Sequence, residues 1–243
     1  TGATFTRGTD FTDDFFYLNP KSLTFKGSES APIVFDGNSE TQTSNLITKG
    51  GTTTFENCRF ENNTSSSDGG AVYIAASATV TFSNCTFNNN EASSCGGAVY
   101  IKAEAIGTFS NCTFKSNTAS HYGGAVYIES TGTGSFSDCT FEGNSANTCG
   151  GAIDSSGTAD ITNCTFTSNS ATSDTGYGGA INIDSGTVDI SSITCSGNSA
   201  TTGKDIYHSN GTLNIGGTVD GSIDIYMYNN SSSPVLVPVK GIT

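Results

Sequence analysis

One 27-residue recurrence limits what this chain can fold into more than any other feature. It is clearest from Phe82 to Thr108, where an Asn-Cys-Thr-Phe-x-x-Asn run is followed by Gly-Gly-Ala-Val. The cysteines of the run are Cys58, Cys85, Cys112, Cys139 and Cys164, spaced 27, 27, 27 and 25 residues apart. Each is followed by a phenylalanine, at Phe60, Phe87, Phe114, Phe141 and Phe166. Asn63, Asn90, Asn117, Asn144 and Asn169 close the runs, and Asn198 extends the row. The glycine pairs open Gly69-Gly70-Ala71, Gly96-Gly97-Ala98, Gly123-Gly124-Ala125, Gly150-Gly151-Ala152 and Gly178-Gly179-Ala180. Spacing this regular makes each unit one layer of a stack, unable to bury its apolar face alone.

Within a unit the apolar residues alternate, as Val80 and Phe82 do around Thr81, and Val72 and Ile74 around Tyr73. That is the strand period of two and not the helical period. Thr, Ser, Asn, Gly and β-branched residues dominate, all poor helix formers. The expectation is an all-β chain, a right-handed parallel β-helix (solenoid). It would have about eight coils of ~27 residues, stacked ~4.8 Å apart into a rod of ~40 Å. Residues 1–21 lie outside the repeat and 22–243 form the β-helix, with regular repeats over 52–200 and degenerate end coils at 22–51 and 201–243. The aromatic N-terminal segment, with Phe5, Phe11, Phe15, Phe16 and Tyr17, reads as a cap over the first coil or as a segment docking on another subunit. Pro234 and Pro238 suit an edge or end strand, since proline donates nothing to a ladder.

The repeat also assigns faces. Phe82 and Phe87 are five residues apart, so both point inward only if the chain bends between them, at Asn84. Cys85 then points inward too. In the last repeat Ile193 takes the cysteine position and Cys195 the phenylalanine position. Cysteine that exchanges with Ile and Phe behaves as a small hydrophobe, so Cys58 to Cys164 read as a buried ladder of reduced thiols. Stacked in register, neighbouring members are wider apart than a disulfide prefers. Cys95 and Cys149 share another column, two layers apart with Tyr122 between them. No spacing matches a zinc site. The Gly-Gly pairs supply positive φ and close backbone approach at the tightest corner, and no helix pattern follows them as a phosphate loop needs.

A net charge of −13, with nine Lys and Arg and no basic run, discards nucleic acid and anionic membrane surfaces as partners. No apolar run approaches the ~18 residues of a membrane-crossing helix, and the absence of a signal-peptide pattern reads as a mature chain or an excised fragment. Richness in Ser, Thr, Asn and Gly fits a secreted or cell-surface protein. Glycosylation sequons stand at Asn62, Asn63, Asn84, Asn111, Asn163, Asn210, Asn229 and Asn230. The bend positions Asn84, Asn111 and Asn163 would carry a row of sugars, or form an amide ladder whose sequons merely follow from the repeat.

Gly-Gly-Ala-Val/Ile combined with Phe-x-x-Asn, once each per coil, resembles the repeats of chlamydial polymorphic membrane proteins. The motif covers Phe60/Asn63, Phe87/Asn90, Phe114/Asn117, Phe141/Asn144 and Phe166/Asn169 with the five glycine triplets, about 140 of 243 residues. Those proteins are larger autotransporters with a C-terminal membrane barrel, for which this sequence shows no counterpart. The resemblance implies adhesion or surface structure, through contact with a host or neighbouring-cell surface protein or glycan.

Several outward columns are candidate sites. Tyr73, Tyr100 and Tyr127, continued by Asp154, Asn182 and Tyr207, form a flat aromatic platform beside Ala75, Lys102, Glu129, Ser156 and Asp184. It reads as a binding face for sugars or a partner, or as a ladder that stabilises its sheet. Asp160 and Asp189 should stack on adjacent layers, as a solvated acidic face or a Ca²⁺ bridge. Enzymatic β-helices place carboxylates on outward positions, here Asp154, Asp184, Asp160 and Asp189. Lys102 is two layers from Asp154, His121 falls in a bend and His208 in an inward column, so the chain reads as non-enzymatic and without cofactor. An unpaired strand edge at each end offers a further reading, head-to-tail self-assembly into a glycosylated extracellular filament.

Overall fold

The computed structural model describes residues 3–6, 16–18, 21–37, 41–42, 46–48, 50–218, 223–228 and 239–240. One turn of the chain runs through Ala78–Ser83, Thr86–Asn88, Glu91–Ala92 and Val99–Ile101. The next turn repeats it at Ile106–Ser110, Thr113–Lys115, Thr118–Ala119 and Val126–Ile128. These strands build a first face, a second face, a short strip and a third face. Among the described residues the four sheets hold nine, eight, six and nine strands, in that order. Pairing is parallel and in register, Phe82 on Phe109, Phe87 on Phe114 and Val99 on Val126.

The chain is thus the all-β parallel solenoid expected from the repeat, with about seven turns where about eight were expected. Beyond Thr212–Gly216 the described chain contributes only Ile225–Met227 to the third face and Val239–Lys240 to the first. At the other end Thr4–Thr6 pairs with Ile33–Asp36 and Phe16–Leu18 with Leu46–Thr48, so both pieces add a layer to the stack. Phe11, Phe15, Pro234 and Pro238 lie outside the described residues.

Local chemistry explains each corner. Asn57, Asn84, Asn111, Asp138 and Asn163 turn the chain from the first face to the second at φ between 51° and 55°, a region Asn and Asp enter more easily than most residues. This is the bend that brings Phe82 and Phe87 to the same interior. Gly69, Gly96, Gly123, Gly150 and Gly178 have φ between 63° and 67°. Their successors are glycine for a different reason: a Cβ on Gly97 would lie 2.0 Å from the Gly124 carbonyl oxygen of the next layer. Both roles expected of the glycine pair are therefore present, divided between its two members.

The interior is a set of rows. Phe82 and Phe109 stack at 4.9 Å, Phe87 and Phe114 at 4.7 Å, and the two rows meet edge-on, with Phe82 5.2 Å from Phe87. Offset and edge contacts of this kind add to the energy of burial itself. Cys58, Cys85, Cys112, Cys139 and Cys164 are buried and free beside them, with Ile193 and Cys195 continuing the cysteine and phenylalanine columns. Each ladder thiol points at two backbone carbonyls, as Cys85 Sγ does at Ser83 O (3.3 Å) and Phe55 O (3.4 Å).

A second row is polar and just as deep. Asn90 Nδ2 donates to Phe60 O at 3.0 Å and to Asn117 Oδ1 at 2.9 Å, and that oxygen also accepts the Asn90 backbone N–H. The pattern continues through Asn144 and Asn169 to Asn198, whose amide donates to the Asp205 carboxylate. Every amide hydrogen and oxygen in the interior of this row is satisfied, which is the condition for burying it.

Three outcomes are expected. Asn117→Ala orphans the Asn90 amide and the Phe87 carbonyl, and denaturant unfolding should show a loss on the order of 3 kcal/mol. Asn111→Gly, at an exposed bend that glycine accepts, should cost under about 1 kcal/mol. In a thiol-reactivity assay the native protein should expose Cys95, the one cysteine that is not buried, and release the five ladder thiols only on unfolding.

Candidate functional site

The outward column of the third face is in the register expected, Tyr73 on Tyr100, Tyr127, Asp154, Asn182 and Tyr207, with Tyr226 added at the end. Its exposure is not. Tyr100 is 7% exposed and Asp154 2%, while Tyr73 and Tyr127 are half-buried. Outward strand positions are covered here because the corner before each glycine pair folds back over the face. A Cβ on Gly150 would stand 2.8 Å from the Asp154 Cβ, and one on Gly69 3.1 Å from the Tyr100 Cβ. The same corner carries a second column, in which Tyr122, Cys149, Tyr177 and Thr202 bridge layer to layer. The two columns together form a groove of about 510 Å³.

Tyr122, Tyr127, Tyr177 and Tyr207 supply its aromatic walls, and Asp154, Asn182 and Asp184 its principal polar groups. Tyr177 and Tyr207 stack at 4.5 Å, and Tyr122 tilts against Tyr127 at 6.2 Å. Asn182 Nδ2 donates to Asp154 Oδ2 at 2.8 Å, while Asn182 Oδ1 is buried without a partner. Burial pushes the Asp154 carboxyl up to about 7, the Asn182 hydrogen bond acts against it, and the Asp184 charge adds to it. Burial, reinforced by the same two carboxylates, pushes the Cys149 thiol up to about 12. A neutral acid is what a carboxyl becomes where no cation compensates its desolvation.

The remaining candidates are scattered. Lys102 Nζ pairs with Glu129 Oε2 at 3.2 Å, and Glu129 also accepts the Ala103 N–H. Asp160 and Asp189 stack in register on the first face, and Asp189 accepts Asn214 Nδ2 at 2.6 Å. Among the described residues no group of three His, Cys, Asp or Glu side chains is placed to hold a metal. His121 is exposed, and burial holds the inward-facing His208 imidazole below its ordinary value. Of the sequons, Asn84, Asn111, Asn163 and Asn210 are exposed, although Asn111 Nδ2 donates to Asn84 Oδ1 at 2.7 Å. Asn63 is engaged in the inner amide row, and Asn62 Nδ2 donates to Asp36 Oδ1 at 3.2 Å. Asn229 and Asn230 lie outside the described residues. Tyr122 and Tyr177 went unrecognised as groove residues, although each stands directly before a glycine pair.

Asp154 gives the site a pH signature. Its folded carboxyl binds a proton below about 7, whereas an unfolded one does so only below ~4. Between those limits the folded state holds the extra proton, so this group lowers stability as pH rises from ~4 through 7. Asp154→Asn should therefore raise the melting temperature by a few °C near pH 8 and by much less near pH 5. A pH-independent gain would remove the neutral acid.

The chain matches the family model described as right handed beta helix region over residues 43–232. No curated protein and no solved structure matches it. The match spans more than half of the 243 residues and coincides with the stacked turns, so this chain is a member of the right-handed β-helix family.

Proposed function

We propose that the protein is a non-enzymatic, secreted or cell-surface β-helix that binds a partner surface through the groove of its third face, in the manner of an adhesin. The observation that carries this reading is the groove itself, with stacked tyrosines and three acid and amide groups on the side of an elongated stack. Tyrosine walls offer wide amphipathic contact at low entropic cost, suited to a sugar or a partner side chain. The likeness of the Gly-Gly-Ala and Phe-x-x-Asn repeats to those of chlamydial polymorphic membrane proteins supports the same assignment. So does a surface rich in Ser, Thr and Asn.

A second reading is favoured by one feature. Asp154 holds its proton up to about pH 7 and shares the groove with the exposed Asp184, as an acid and base pair acting on a glycosidic bond would.

Tyr122 is 38% exposed and Tyr177 is partly exposed, so both tolerate truncation. The double variant Tyr122→Ala/Tyr177→Ala should lose at least ~tenfold of the binding to cells or immobilised surface glycans and proteins, with the melting temperature nearly unchanged. Binding that survives the double variant would sink the groove as the adhesive site. Release of reducing ends from a polysaccharide by the native protein, abolished by Asp154→Asn, would install the hydrolytic reading instead.

A further inference from the structure

We propose that the third-face groove is a site for a primary ammonium group, carried by a lysine side chain or an amino sugar of the partner. The proposal rests on the binding role assigned above to that groove. Among the described residues no Lys, Arg or His lines it; beyond hydroxyls and the Cys149 thiol, its polar groups are Asp154, Asp184 and Asn182. On the same face Lys102 is committed to Glu129 at 3.2 Å. The groove is therefore rich in acceptors and, among the described residues, has no fixed cation of its own, in a chain of net charge −13.

Asn182 is the independent indication. It is 5% exposed, lines the groove, and donates one amide hydrogen to Asp154 while Oδ1 goes without a partner. A buried acceptor left open costs free energy that a donor arriving with a ligand recovers. An ammonium with N–H groups is such a donor. A quaternary ammonium is not, although the tyrosine faces would attract either. The negative field is already felt by the neighbours: after burial itself, Asp154 is among the causes that raise the Tyr122 phenol and the Cys149 thiol.

Binding an ammonium favours the ionised form of Asp154, so occupancy is coupled to proton release. Among the described residues, the titratable groups around Asp154 are Asp184, Cys149, Cys95 and the phenols of Tyr122, Tyr127, Tyr177, Tyr207 and Tyr228. As pH falls below about 7 the Asp154 carboxylate is lost and the site should weaken.

The test is calorimetric or NMR titration of the full chain with four probes: Nα-acetyl-lysine amide, glucosamine, N-acetylglucosamine and choline. Saturable binding of the lysine derivative or of glucosamine is expected, and the tighter of the two identifies a protein or a glycan source. N-acetylglucosamine and choline should bind at least ~tenfold more weakly, and Asp184→Asn, at an exposed position, should cost the tighter amine a similar factor. The lysine derivative stays charged throughout, and its affinity should fall by about fivefold or more between roughly pH 8 and pH 5.5. Equal binding of N-acetylglucosamine and glucosamine, indifference to both Asp184→Asn and Asp154→Asn, or no saturation by either amine would overturn the ammonium site. Each of these leaves the adhesive role standing as long as Tyr122→Ala/Tyr177→Ala abolishes surface binding. If that variant binds as the native protein does, both fail.

Discussion

A buried amide must place two N–H hydrogens and an oxygen without help from water, and this stack meets the demand by repeating it. Each inner asparagine receives what the layer before it donates and donates in turn to the layer after it. That reciprocity works only if successive turns sit in register, because a slip of one residue would exchange the interior for the surface. The amide row, the parallel backbone ladders and the phenylalanine stacks therefore demand the same alignment. The row ends on the Asp205 carboxylate, which accepts the last amide where no further asparagine follows.

The corners obey the same alignment. Positive φ at Asn84 and its equivalents turns the chain so that odd-spaced phenylalanines share one interior. The first glycine of each pair reverses the chain toward the third face, and the second leaves room for the carbonyl of the next layer. This tight corner has a functional consequence. It lays Tyr122, Cys149 and Tyr177 alongside the outward column, converting a flat strand face into a groove and drying out Asp154. A structural requirement of the repeat and the raised pKa of its most unusual carboxyl thus have a common cause.

The groove occurs where the repeat is imperfect. Tyr73, Tyr100 and Tyr127 keep the column aromatic, and their rings fill the space beneath the corner. At Asp154 and Asn182 smaller side chains replace tyrosine, so the walls remain while the floor drops. Tyr207 restores the ring one layer later. Two substitutions in a periodic column are enough to make a pocket, because the neighbouring layers are held at fixed spacing and cannot close the gap.

Much of this was open to reading from the residues alone. The period gave the layers; Ile193 and Cys195 revealed which side the cysteines take; and the odd spacing of five from Phe82 to Phe87 located the bend at Asn84. These features depend on backbone sterics and apolar burial, which act within one turn or between adjacent ones. The concealment of the tyrosines did not follow, since alternation along a strand says which way a side chain points and not what lies above it. Nor did the proximity of Tyr177 to Asp154, which are 23 residues apart and meet only once a glycine corner has folded over the neighbouring layer. The sequence determined the stack; tertiary structure decided which of its outward positions are dry, because desolvation depends on the neighbours that the whole fold assembles.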